Sequence, residues 1–154
     1  MEAEKNKGEM DRLQAVGVFS LLVLNAGTGE ILERFADNNL VVTLGQTNLA
    51  KVLGGHASGK KISKIAIGTN GTTPTLADTT LTSLFSKLIT SVDYPEANSV
   101  RFSWSIDGPD ANGMTIREFG LLNEDGVLCA RKVRADIIKT AEVRLVGSWK
   151  ITIN

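Results

Sequence analysis

One cysteine and one histidine in 154 residues exclude an internal disulfide and leave little scope for zinc or for base catalysis. Prolines number three, and aromatic residues make up 5% of the chain, too few for a base-stacking or sugar-stacking platform. Neither charge sign dominates. Seventeen basic residues meet seventeen acidic ones, whereas a chain that coats nucleic acid is usually basic. No apolar run approaches the roughly 18 residues that span a bilayer. The opening stretch, MEAEKNKGEMDR, is charged throughout and does not read as a secretory signal.

What is present is ordinary globular material, 42% hydrophobic and 22% charged, in one domain's length. Fifteen glycines exceed the average share of about 7%, as many tight turns between short strands would require. Met1 to Arg12 mix both signs without an apolar stripe. We therefore expect an extended N-terminal arm over 1–15, ordered by a neighbouring subunit, ahead of a single domain over 16–154.

From Val16 the residues become apolar and β-branched, predicting a strand from Gly17 to Asn25 buried on both faces. Asn25 to Gly29 supplies a hairpin turn, Glu30 to Ala36 the returning strand, and Asp37-Asn38-Asn39 its end. Thr43 to Leu53 is the one helix, with Leu49, Val52 and Leu53 on its packed face, Thr43 as cap and Gly54-Gly55 as stop. Further strands are expected around Ile62 to Ile67 and over Leu88–Val92, Val100–Ile106, Met114–Leu122, Val127–Val133 and Val143–Ile153. A short helical turn is expected over Asp78–Leu84. The fold class is mainly β: an antiparallel β-sandwich with one short inserted helix.

Each chemical motif has a plainer competitor. Gly54 to Lys60 matches G-x-x-x-x-G-K, but Lys61 stands where a Ser or Thr must hold magnesium, and a helix precedes the loop instead of following it. Asp107 to Gly113 offers three side-chain oxygens for calcium but reads better as a turn. Asn70-Gly71-Thr72 is formally a glycosylation acceptor. His56 lies in a loop, with no nearby Ser, Cys or carboxylate taken as a relay. Cys129 reads as a small buried hydrophobe, and Trp104 and Trp149 as packing residues. Lys60, Lys61 and Lys64 form a solvated basic edge. Glu118 sits in a strand bound for the core and needs a partner, Arg131 or Lys139. No catalytic, cofactor-binding or metal-ligating residue is assigned, and the chain does not read as an enzyme.

Ile62-Ser-Lys-Ile-Ala-Ile-Gly-Thr-Asn-Gly-Thr-Thr-Pro74, followed by Ala77-Asp-Thr-Thr-Leu81, resembles a segment of small tailed-bacteriophage structural and tail-fibre-like proteins. Ile116 to Leu122 with Gly126 to Arg131 resembles their "E-x-G-L…G-x-L-x-A-R" hairpin. Asn39 to Gly45, Leu49 to Gly55, Ile138 to Thr140 and Trp149 to Ile153 fit the same pattern, so the likeness runs from Asn39 to the C-terminus. It implies a virion protein made in the host cytoplasm, a fibre, collar or adaptor subunit of the tail or neck that assembles as a homo-oligomer. Its implied partners are copies of itself and other virion proteins, with no nucleic acid, membrane or cofactor. The alternatives are a head decoration or cement protein, or a carbohydrate-binding module for a host glycan using Trp104, Trp149 or Tyr94.

Overall fold

The computed structural model describes residues 14–154. The expected arm lies outside the described residues except for Gln14 and Ala15, and Ala15 already belongs to the first strand. Ten elements follow in chain order: β1 (Ala15–Asn25), β2 (Ile31–Val41), α1 (Thr43–Leu53), β3 (Ile62–Gly68), β4 (Phe85–Leu88), β5 (Ser91–Asp93), β6 (Ser99–Ile106), β7 (Thr115–Asn123), β8 (Leu128–Ile138) and β9 (Val143–Ile153). The mainly β class agrees with the sequence reading, as does the one helix among the described residues. The nine strands hydrogen-bond into one antiparallel sheet, in the order β4-β3-β7-β8-β2-β1-β9-β6-β5. That sheet is curled into a half-barrel, where the sequence suggested two separate leaves.

The curl follows from how the edges are joined. Edge strands β4 and β5 are consecutive in the chain, separated only by Ile89 and Thr90. The Ile89 amide donates to Ser63 C=O at 2.9 Å, and the Thr90 amide donates to Ser103 C=O at 2.8 Å. Two adjacent residues thus bond to opposite halves of the sheet. The single strand expected over Leu88–Val92 is therefore two strands. Diametrically across the order, β2 and β8 pair only at Leu40↔Arg131 and Val41↔Ala130, and beyond that they part.

Inside the curl, alternate residues of each strand form the core. Phe19 is its centre, with the rings of Phe35, Trp104, Phe119 and Trp149 at centroid distances of 4.8 to 6.1 Å. Few aromatic residues exist, and most of them meet here. Gly147 is needed beside them because a Cβ there would overlap the Trp104 ring. Strand β1 is buried on one face only: Phe19, Leu21 and Val23 point inward, whereas Val18, Ser20 and Leu22 are half-exposed. This corrects the two-faced expectation, because among the described residues no element packs on the convex side of that half. The strand with two buried faces is β7. Its outer side meets a second apolar cluster of Val42, Ala66, Leu81, Leu122 and Leu128.

Three other boundaries differ. Strand β2 runs through Asp37-Asn38-Asn39 to Val41, because Gly17↔Asn39 and the intervening pairs keep it on the β1 ladder. Strand β8 continues five residues past Val133. Asp78 to Leu84 forms no helical turn; an Asp78–Thr75 turn takes its place, with the Thr75 amide donating to Asp78 Oδ2 at 2.9 Å.

Candidate functional site

Glu118, on β7, and Arg131, on β8, lie diagonally across one ladder and face the outer side of the sheet. Both are buried. Arg131 Nε donates to Glu118 Oε2 at 2.8 Å, its Nη1 to Asp78 Oδ2 at 2.9 Å, and its Nη2 to Asn70 C=O at 2.9 Å. Glu118 Oε1 accepts the amides of Thr82 at 2.7 Å and Asn70 at 3.1 Å. The pair therefore fastens both ends of the β3–β4 connection to the sheet. Two glycines make room: a Cβ at Gly68 would overlap the Glu118 carboxylate, and one at Gly120 would press on Leu128. Burial pushes the Asp78 pKa up, but hydrogen bonds from Thr75 and Arg131 outweigh it and hold the carboxyl below its ordinary value. Of the two partners expected for Glu118, the structure selects Arg131. Both oxygens of Glu118 are engaged and its side chain is fully buried, so the group acts as a clamp.

Lys139 is buried elsewhere, and its ammonium donates to Thr140 C=O at 2.8 Å, Asn112 Oδ1 at 3.0 Å and Gly108 C=O at 3.1 Å. The loop considered for calcium thus directs its oxygens at a lysine of its own chain. Burial holds Lys139 below the ordinary lysine pKa, with Asp110 and Asp107 pulling the other way. Around the rim, Lys87 bonds Asp107 and Asp110, each at 2.7 Å, and Arg144 bonds Asp107 at 2.9 Å. Lys87 and then Arg144 bring Asp107 down to about 2. Among the described residues no group of His, Cys, Asp and Glu is arranged to hold a metal ion.

The remaining candidates separate cleanly. Burial raises the Cys129 thiol to about 11, which disfavours the thiolate a nucleophile needs. His56 does have a serine beside it, contrary to the sequence reading: Ser58 Oγ lies 2.8 Å from His56 Nδ1. Both are exposed, and the Ser58 amide also donates to that nitrogen, so the contact closes a surface turn. Asn70 accepts from Thr72 in a turn of its own. Trp104 and Trp149 are 1% and 0% exposed, leaving Tyr94 as the accessible ring of the proposed glycan trio. The G-x-x-x-x-G-K stretch follows α1 and precedes β3, the reverse of a phosphate-binding loop.

The helix holds what sequence reasoning missed. Thr43 does not cap it; the N-cap is Val42, with no side-chain hydrogen bond. Its packed face is not Leu49, Val52 and Leu53, which are exposed, Leu53 at 74%. Gly45 touches the sheet instead, so closely that a Cβ would overlap the Cys129 backbone. Asn48 fixes the same face, receiving the Lys60 amide at 3.0 Å and donating to Lys60 C=O at 2.8 Å. The signal was the lone glycine: Gly45 shares a side of the helix with Leu49 and Val52, but it is the glycine that meets the sheet, while the two larger side chains line a cavity beside it.

That orientation leaves an apolar cavity of about 530 Å³ at the open end of the curl. Leu49 and Val52 form one wall, Phe102 and Ile151 the floor, and Lys60 and Lys61 stand on the rim. A second groove, about 580 Å³, continues past Leu49 to Val16, Leu53 and Gln14. A third concavity, about 790 Å³, is a trough on the convex face floored by Ser20, Ser103 and Ser148. Two arginines that line it, Arg101 and Arg144, are already paired to Asp93 and Asp107. Comparison with protein-family models, with curated proteins and with solved structures finds no match to this chain, so the phage resemblance rests on the residues that carry it.

Proposed function

We propose that this chain is a structural component of a tailed-phage virion, a fibre, collar or adaptor subunit of the tail or neck that works by oligomeric assembly and is not an enzyme. One observation supports this above the rest. The resemblance is carried by separate segments, Ile62–Pro74, Ala77–Leu81, Ile116–Leu122 and Gly126–Arg131. Their polar members Asn70, Asp78, Glu118 and Arg131 converge in one network around the buried Glu118–Arg131 pair. The recurring residues thus have a scaffolding task, as expected of a family whose members assemble and do not turn over substrate. In this reading the two halves of the curled sheet, meeting at Phe19 and Phe119, act as the leaves of a sandwich, and the segment ahead of Gln14 reaches a neighbouring subunit.

A tagged copy expressed in a phage-producing host tests the proposal. Stoichiometric co-sedimentation with purified particles is expected, together with loss of incorporation when Met1 to Arg12 are removed and the domain still melts cooperatively. Absence of the full chain from particles would overturn it. The glycan-binding alternative loses ground because Trp104 and Trp149 are enclosed.

A further inference from the structure

The apolar cavity at the open end has the dimensions of a ligand site, and its walls are formed before anything enters. Asn48 bonds both the helix-following loop and Asn123 on β7, at 2.8 to 3.0 Å, so helix, loop and sheet hold the mouth in shape. Lys60 and Lys61 on its rim have no acidic partner among the described residues. The occupant that fits has an apolar anchor flanked by carboxylates.

The chain carries such a segment. Met10 lies between Glu9 and Asp11, and Leu13 follows three residues on. These are anchors and not a stripe, which suits a small cavity better than a helix groove. The segment also ends beside the site: Gln14 lines the adjoining groove and exchanges backbone hydrogen bonds with Asn154, both 2.8 Å. From there β1 leads away from the mouth. In the assembly reading this segment reaches a neighbouring subunit, which makes a second copy the donor.

We infer that the cavity between α1 and the open end of the curled sheet receives Met10 and Leu13 from the N-terminal segment of a second copy of this chain. The inference rests on the assembly reading above and names its acceptor. Affinity comes from burying two apolar side chains and matching Glu9 and Asp11 to Lys60 and Lys61, less the cost of ordering the segment.

The test uses two full-length chains expressed together, one with a photo-reactive benzoylphenylalanine at Val52. The other, in excess, is marked by Glu4→Asp so that its N-terminal peptide differs in mass. Illumination and peptide mapping are expected to join Val52 to the marked peptide containing Met10. Lys60→Glu with Lys61→Glu should lower that yield at least tenfold, while Lys60→Arg with Lys61→Arg retains it. Because Val52 is exposed, the label itself should leave the melting curve unchanged; Leu49 serves as the second label position. Cross-links only to the unmarked peptide, to another part of the chain, or none from either position would overturn the inference, as would a co-purified lipid that blocks the reaction. Its failure is separable from that of the virion reading. Particle incorporation without the cross-link removes only the acceptor, and the cross-link without incorporation removes only the virion.

Discussion

Strand β8 carries three cations in four residues, Arg131, Lys132 and Arg134, and the sheet's alternation sends them to two different faces. Arg131 faces outward beneath the β3–β4 connection, bonded to Glu118 and Asp78. Lys132 and Arg134 face inward at the seam where β8 parts from β2, bonded to Asp37 and Glu33. The two regions use the same chemistry in different surroundings. In the clamp, acid and base are both enclosed, with Glu118 and Arg131 side chains 0% and 2% exposed. At the seam the bases are sheltered over the Phe35 ring, at 5.8 Å for Lys132 and 5.0 Å for Arg134. Their acids stand in water, Asp37 at 56% and Glu33 at 44%. A partly exposed pair contributes little, whereas a buried one penalises the loss of a single partner heavily. The clamp therefore fixes a loop in one place, and the seam mainly keeps water from an aromatic ring.

Breaking the clamp has the largest expected effect. Arg131→Met strands a buried carboxylate and frees Asn70 C=O and Asp78, which costs about 3–5 kcal/mol. Thermal unfolding would show it, with faster amide exchange at Asn70 and Thr82. Adding Glu118→Gln should recover part of the loss, because the uncharged amide oxygen still accepts those two amides. A double variant less stable than Arg131→Met alone would contradict the clamp. Lys139→Met comes next. It leaves Gly108 C=O, Asn112 Oδ1 and Thr140 C=O without their donor, at about 1–3 kcal/mol for each group that stays dry. The readout is denaturant unfolding.

How much of this the sequence carries depends on whether a residue's task is local or distant. The helix limits, the Val143–Ile153 strand and the Asn123–Gly126 turn are legible because periodicity and a positive-φ glycine, Gly126 at +81°, act over a few residues. The buried Glu118 was legible from its apolar neighbours, and its partner narrowed to two cations. The rest depended on contacts far along the chain. Asp37-Asn38-Asn39 looks like a turn, yet stays in the strand because its backbone pairs with Gly17 to Phe19 on β1, with Lys132 bonding Asp37 and the Asn38 carbonyl from the other side. Leu49, Val52 and Leu53 look like a core stripe because a hydrophobic pattern shows a face and not what covers it. Gly45 lies on that same side and meets the Cys129 backbone, while Leu49 and Val52 line the cavity beside it instead of entering the core.

Acid should sharpen the comparison. Asp107, Asp110, Asp78 and Asp37 all have carboxyls held below the ordinary value, by Lys87 and Arg144 for the first and by Lys132 for the last. A lowered carboxyl stabilises the fold above its unfolded pKa and loses that contribution as pH falls through its folded pKa. Stability is therefore expected to decline below about pH 4 and to continue declining to about pH 2, where Asp107 titrates. In melting curves across that range, Asp107→Asn should flatten the lowest part of the profile. Asp37→Asn, whose charge faces solvent, should leave the profile close to that of the parent.

The smallest effect belongs to the seam, and it separates charge from cover. Glu33→Gln removes a carboxylate that is nearly half in water, so the expected loss is about 0.2–1 kcal/mol and falls further in high salt. Arg134→Ala removes the same ion pair together with the guanidinium that lies on Phe35, whose side-chain exposure of 4% indicates packing more than solvation. The second variant should thus be the worse of the two, and its deficit should persist in salt. Equal losses that vanish together at high ionic strength would mean that the seam is held by charge after all, which would remove the distinction drawn between the two faces of β8.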